Sequence, residues 1–505
     1  MKCKKASLVI NPRSGQNVAR LADVIAVLSA AGWDPDIGIK EYGGHSMALA
    51  TRAAKTDADL VIAYGGDGTL NQVVNGVMNT KGQHSVVATI PGGTVNEWAG
   101  DIGVPFDPVR AALTLVNSDV RKVDIGHVEV QGLTFPETTQ MDQQQTKGKK
   151  AGKKAKASSK AKHHFLLMAG LGIDAAVMGH VNKSLKYKIG RAAVALSIAE
   201  EWPKHRAFPV EVRATGKGSG DADMVWKGEA QQVIIGNTRR YAGYVEMTPD
   251  AYIDDGVLDV CVITQGNPIT TMQQIASLFL RHKPDDVTAE FFHGAHLSIT
   301  VPASVAFHLD GTAVRLKDYL GKSERNVLQH TGDMEHVMVN YRFDAMPHAL
   351  QAAIPHTYND TLFEKSAHKE ESQEVLRQPT DEEKSGQQAE EDIPKQDDKW
   401  FEKLQHDHPD LIKALLESGR KVTVIGVSQL PDKKNTYVVA GTIEKQSTGE
   451  IRPVAVRIDS DTTIINSTGG YSSPAAVQNL QEGTGIVVEG KKSKRGVISA
   501  TRVVI

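Results

Sequence analysis

Short apolar runs recur through the first quarter of the chain, each followed by a polar or glycine-bearing turn and then by apolar positions at helical spacing. Ala6 to Ile10, Asp36 to Lys40, Ala58 to Ala63 and Ser85 to Ile90 predict strands. Between them, Val18, Leu21, Val24, Ile25 and Leu28 predict a helix over about 17–31, and Ser46 to Lys55 predicts a second. A third carries Leu70, Val73, Val74 and Val77 on one face, and Pro91 to Glu97 opens a fourth. Repeated strand–helix units of this length predict an α/β domain over 1–122 with a doubly wound, mostly parallel sheet. In such a sheet the ligand lies beyond the carboxyl ends of the strands.

From about Arg121 the texture changes to short strands with polar turns: Val123 to Val130, Phe165 to Met168, Val210 to Arg213, Met224 to Lys227, Ala230 to Ile235, Leu258 to Ile263 and His296 to Val301. This pattern predicts a β-rich, sandwich-like second domain over 123–328. A helical span is expected over about 175–202. A strand over Glu335 to Phe343 and a helix over Ala345 to Ala353 are expected to return the chain to the first domain at 329–355. Two segments cannot bury a core and are expected to be disordered: 138–162, Gln-rich and then Lys-rich, and the acidic linker 366–399. Beyond the linker, 400–505 reads as a helix with Leu404, Leu411, Ile412, Leu415 and Leu416, followed by about six strands forming a small β-barrel.

Composition narrows the classes. The 505 residues suffice for about three domains, and 40% hydrophobic residues build real cores. A formal net charge of -2 gives no whole-protein field toward nucleic acid. Cys3 and Cys261 allow at most one bridge and supply no thiolate metal cluster, which fits a reducing cytoplasm. No segment approaches the roughly twenty apolar residues of a membrane span, so membrane contact is expected to be peripheral. The eight lysines between 147 and 162, with no acid among them, would attract an anionic surface at about 1 kcal/mol per lysine. A solvated loop extension is the alternative.

The chemistry gathers around Gly65-Gly66-Asp67-Gly68-Thr69, between a strand and a helix. Glycines let the backbone approach a ligand closely, and the helix start directs N–H groups into the turn, an arrangement suited to phosphate. Asp67 would repel bare phosphate, so it implies a divalent cation, or a bond to ribose or water. Pro91-Gly92-Gly93-Thr94-Val95-Asn96-Glu97 repeats the logic one strand later. The loop Asn11-Pro12-Arg13-Ser14-Gly15 after the first strand reads alone as a turn.

GGDGT followed by LNxVVNG, with PGGTxN downstream, resembles the diacylglycerol-kinase catalytic family of lipid kinases, especially its soluble bacterial two-domain branch. The GGDGT core is shared with NAD kinases and phosphofructokinases. Narrower matches are Met168 to Ala175, Gly236-Asn237-Thr238 and, most specifically, Met247 to Val260, which follows the pattern P-x-A-x-x-D-D-G-x-L-D-V. The resemblance covers roughly 6 to 355. It implies ATP and Mg²⁺ as cofactors and a lipid hydroxyl as acceptor. Nucleotide would be held by Asn11 to Gly15, Gly65 to Thr69, Gly92, Gly93, Thr94 and Asn96. His45 would lie against adenine, with a capping or surface role as the alternative. Catalytic Mg²⁺ would sit near Asp67 and Glu97, where the family usually has Asp in place of Glu97. Asp255 and Asp259 would hold a structural Mg²⁺, with a plain hairpin turn as the alternative. Asp310, after a strand over Ser304 to Phe307, would be the base, with Asp67 as its catalytic companion. Two carboxylates of the family are missing: Thr312 and Gln72 stand in their places.

The resemblance also implies a diacylglycerol-like lipid at the membrane surface as partner, with a sphingoid or other long-chain alcohol kinase, or a non-catalytic kinase-like binding protein, as alternatives. A second copy of the chain is admitted as a partner; nucleic acid is not expected. The barrel resembles OB-like domains but has no dense basic groove, so a structural or protein-contact role is expected. A chain ending near His356 is accordingly expected to fold and work alone.

Overall fold

The computed structural model describes residues 5–14, 17–82, 84–135, 162–173, 206–216, 224–241, 245–264, 288–331, 334–364, 419–431, 435–445, 449–466 and 471–505, with isolated positions 277, 282, 284 and 433. Most of the Lys-rich insert, the 366–399 linker, the 175–202 span, the 400–416 helix and Gly15 therefore lie outside the described residues.

The first unit alternates strand and helix as the periodicity predicts: β1 (Lys5–Ile10), α1 (Leu21–Ala30), β2 (Asp34–Ile39), α2 (His45–Lys55), β3 (Leu60–Gly65), α3 (Asp67–Met78), β4 (Val86–Pro91), α4 (Glu97–Asp101) and α5 (Pro108–Val116). Strands β4, β3, β1 and β2 pair in parallel in that order. β3 and β4 are buried throughout, as continuous apolar strands covered on both faces should be. Asp107 caps α5 by accepting the Val109 and Arg110 N–H groups, with Pro108 in the first turn.

The second unit is antiparallel. Its strands are β5 (Ser118–Thr134), β6 (His164–Phe165), β7 (Met168–Gly172), β8 (Phe208–Thr215) and β9 (Met224–Gly236). After the small hairpin of β10 (Arg240–Tyr241) and β11 (Val245–Glu246) come β12 (Leu258–Thr264), β13 (Ala289–Gly294) and β14 (His296–Pro302). β15 (Phe307–Leu309) and β16 (Thr312–Val314) form a tight hairpin, and α6 (Lys322–Thr331) leads to β17 (Met338–Pro355). Two expectations change here. Ser304 lies in a turn and the strand is β15. Ala345 to Ala353 is strand: β17 runs antiparallel to β14 and β5, shifts register between Met346 and Leu350, and then meets β4 in parallel at Ala352. One long strand thus joins both units in a 15-stranded sheet. The apolar spacing of 345–353 fits either period, and sheet pairing decided it.

The C-terminal unit is a closed barrel. β18 (Arg420–Gln429), β19 (Tyr437–Lys445), β20 (Glu450–Ile458), β23 (Gly485–Lys492) and β24 (Val497–Val504) form the ring, with β20 closing on β24 in parallel; β21 (Thr463–Ile465) and β22 (Tyr471–Ser472) extend it. This barrel is no free appendage. Its outer residues Ile425, Leu430, Val438, Ala440, Ala455 and Val497 belong to the same buried cluster as Val24, Val27 and Leu113 of α1 and α5. Gly426 lies against Leu113, where an added Cβ would come within 3.0 Å of the leucine methyl. Arg110 pairs with Glu482, and Arg495 Nη1 lies 2.7 Å from Asp34 Oδ1. The residues just past His356 are also structural: Leu362 and Phe363 are buried, Arg121 stacks 3.4 Å over the Phe363 ring, and the Ile253 N–H donates to Leu362 O.

Candidate active site

Three loops meet at the carboxyl ends of the parallel strands. Ser14, after β1, bridges the other two: its hydroxyl donates to Gly92 O (2.9 Å) and accepts from the Gly66 N–H (3.2 Å). Asn11 Nδ2 donates to Thr69 Oγ1 at 3.3 Å, and the Arg13 N–H donates to Asn11 Oδ1. Gly66 and Gly93 touch backbone to backbone, so a Cβ on Gly93 would stand 2.6 Å from Gly66 Cα. No side chain fits there, which is the physical demand behind the paired glycine motifs. Asn96 holds the second loop from a left-handed conformation (φ 53), accepting the Gly93 N–H at 2.7 Å and donating to Gly93 O at 2.9 Å. His45 begins α2; its ring stacks on Tyr42 (4.4 Å, 8°) and Nδ1 accepts the Glu41 N–H.

Asp67, the first residue of α3, accepts the Trp98 N–H at 3.4 Å. Burial pushes its carboxyl above the ordinary range; the Glu97 and Trp98 N–H groups pull the other way and the Asp310 charge adds to the rise. Asp101, missed by sequence reasoning, is a buried neighbour: its side chain is 5% exposed, Arg240 is 3.8 Å from Oδ1, and Oδ2 has no hydrogen-bond partner. Burial first, then the charge of Asp67, push it up to about 7 against the pull of Arg240.

Asp310 arrives from the other unit. Leu309 pairs with Thr312, and Asp310 (φ 45) and Gly311 (φ 65) form the two-residue loop between them, the left-handed pair that an Asp-Gly hairpin favours. The turn faces α3, with Thr312 Oγ1 3.2 Å from where a Cβ on Gly68 would stand. Asp310 Oδ2 accepts from Asn71 Nδ2 (2.8 Å) and Leu166 N (3.0 Å), and Oδ1 from Leu167 N (2.9 Å) and Met168 N (3.1 Å). Burial raises its carboxyl while these donors favour the anion. Asn75, one turn along α3, donates to His164 O and accepts the His163 and His164 N–H groups. Asparagine is a poor helix-interior residue, and the i, i+4 pair Asn71/Asn75 was the available sign of a polar latch.

The Asp255 loop stands apart from this seam. Asp124, fully buried on β5, accepts the Gly256 and His348 N–H groups, both at 2.6 Å. Asp255 is pushed to about 6, by burial and then by nearby Asp124, Glu364 and Asp254. Asp259 rises to about 7, by burial and then by Asp255 and Asp250. Among the described residues no three His, Cys, Asp or Glu side chains form a ready metal cage. Mg²⁺ is commonly held by one or two carboxylates completed by phosphates and water. The orphan Asp101 oxygen beside Asp67, and the mutually repelling Asp255 and Asp259, both fit such a partial site.

Residues 5–128 match the diacylglycerol kinase catalytic domain, and residues 168–337 match the YegS C-terminal NAD kinase beta sandwich-like domain. The chain is homologous to the bacterial diacylglycerol kinases. It is 26% identical over 312 residues to the diacylglycerol kinase of Bacillus subtilis, covering 61% of this chain and 89% of that one. The Staphylococcus epidermidis diacylglycerol kinase is 27% identical over 266 residues, covering 52% and 72%. A solved Bacillus anthracis structure, provisionally described as a diacylglycerol kinase, superposes with a TM-score of 0.50 at 21% identity over 72% of this chain and 97% of that one. It shares the fold. Both matched domains end before the barrel, which lies outside them.

Proposed function

We propose that this chain is an ATP-dependent lipid kinase that phosphorylates the hydroxyl of diacylglycerol or a related lipid. The observation that carries the reading is the seam itself. The three phosphate-type loops of the α/β unit and the Asp310 turn of the β-rich unit converge across Gly68 and Thr312. Phosphoryl transfer depends on positioning and charge neutralisation more than on covalent chemistry from the protein. The backbone of Gly65 to Thr69 and Gly92 to Asn96 cradles the nucleotide phosphates. Asp67 and Glu97 would hold the catalytic Mg²⁺, which when bound would neutralise phosphate charge. Asp310, whose four donors favour the anion against the upward push of burial, accepts the lipid hydroxyl proton; one of those donors must yield as the hydroxyl enters. Asp255 and Asp259 would hold a second, structural Mg²⁺.

Peripheral membrane contact through the lysine-rich insert supports presentation of the lipid. A kinase for sphingoid or other long-chain alcohols shares this chemistry and differs only in the acceptor pocket. A binding protein without turnover is favoured by one observation: where the family has carboxylates, this chain has Thr312 and Gln72, and Gln72 Oε1 is buried without a hydrogen-bond partner. Incubation of the full chain with labelled ATP, Mg²⁺ and a lipid panel, followed by separation of the products, decides among them. A phosphorylated diacylglycerol is expected; label transfer only to long-chain bases selects the second reading, and none at all selects the third.

A further inference from the structure

Lys162 is the last of the eight lysines that look from sequence like one solvated, membrane-facing run. Its surroundings are different. Its backbone is clamped at the seam: Tyr319 donates its hydroxyl to Lys162 O, and Asn75 Oδ1 takes the next two N–H groups, of His163 (2.9 Å) and His164 (3.0 Å). Its Nζ is buried and has no hydrogen-bond partner. The charges acting on it are Asp310, which attracts, and Lys40, which repels. Lys40 directly follows β2 and donates its N–H to Ile10 O, at the strand ends where the phosphate loops lie. Asp310 does not hold the amine in this structure: each of its oxygens takes two other donors.

A buried ammonium with no acceptor is costly, and a ligand that supplies the missing oxygens is one physical reason to keep it. The geometry points to Lys162 as a phosphoryl-binding residue, its ammonium meeting the oxygens of the group in transfer between the nucleotide loops and Asp310. This inference rests on the kinase reading. In the step, the lipid hydroxyl oxygen forms the new P–O bond and the β–γ bridging P–O bond breaks with its electron pair left on ADP. The hydroxyl proton leaves to Asp310, and Lys162 neither gains nor loses one. It acts by offsetting charge on the phosphoryl oxygens, the kind of contribution that lowers kcat about 10² to 10³-fold when one such donor is removed. Burial lowers the amine to about 8, still mostly protonated at neutral pH.

The test uses the full chain with Mg²⁺ and two probes, ADP and a non-hydrolysable ATP analogue, in titration calorimetry on wild type, Lys162→Met and Lys162→Arg. Lys162→Met should leave ADP affinity within about twofold and weaken the analogue by about tenfold or more, as loss of one charge-assisted contact implies. Lys162→Arg should recover most of that loss. Without nucleotide, Lys162→Met should melt no lower than wild type, because it removes an unpaired buried charge. Equal weakening of both probes, weakening of neither, or an apo melting temperature several degrees lower overturns the proposal. If wild type binds neither probe, it is the kinase reading that fails.

Discussion

Asp310 sits in a turn that serves folding and chemistry together. Its carboxylate takes four N–H donors, three of them from the backbone of 166–168. Asp310→Asn therefore sets an amide N–H₂ against donors that need an acceptor. The expected result is a double one: a rate loss of about 10² to 10⁴-fold, typical of a lost general base, and a lower melting temperature. Steady-state kinetics and calorimetry on one preparation check both, and a rate loss with unchanged melting would restrict Asp310 to chemistry. Asp101 makes the complementary case. Its folded carboxyl, near 7, binds its proton more tightly than the unfolded one at its ordinary 3.8. The native state therefore holds more protons between about pH 4 and 7, and this group's contribution to stability falls as pH rises through that window. Asp101→Asn should flatten that part of the melting-temperature profile; an unchanged slope would count against it.

At the scale of elements, the site depends on two backbone loops approaching closer than any side chain permits. Gly93→Ala puts a methyl 2.6 Å from Gly66 Cα and 2.8 Å from Asn96 Oδ1, and the Gly66 backbone cannot step aside. Nucleotide affinity should fall at least tenfold while α1 to α5 keep their far-ultraviolet signal. Retained affinity would mean that the two loops are not both needed. The lysine-rich element is also redefined by Lys162, which turns inward instead of toward solvent. Deletion of 147–161, sparing Lys162, should weaken binding to anionic vesicles and flatten its salt dependence while leaving nucleotide binding intact. Equal vesicle binding at low salt would exclude a membrane role for the insert.

For the whole molecule, the docked barrel changes what a truncation does. A chain ending near His356 loses Leu362 and Phe363 from the core and uncovers the outer faces of α1 and α5. Removing buried apolar groups costs about 1.5–3 kcal/mol for each large side chain re-exposed. Such a chain should melt several degrees lower and aggregate, and a chain ending at Glu364 should recover only the Leu362 and Phe363 part of the loss. A truncation at His356 as stable as the full chain would show that the barrel contact contributes nothing.

The sequence by itself determined the strand–helix order of the first unit, the β-rich second unit, the barrel and the two glycine loops. All are written in short-range periodicity and in positions where only glycine's backbone fits. Asp67 stood out in its glycine turn, and the family resemblance singled out Asp255, Asp259 and Asp310 as candidates. Only the tertiary structure decided that 345–353 is the strand joining two units, because its apolar spacing suits either period and pairing with β5 and β4 chose between them. The tertiary structure alone likewise paired Asn71 with Asp310, residues 239 positions apart, buried Asp101 and Lys162, and pressed the barrel onto α1 and α5. Those outcomes depend on desolvation and on contacts between distant segments, and neither quantity exists until the chain has closed on itself.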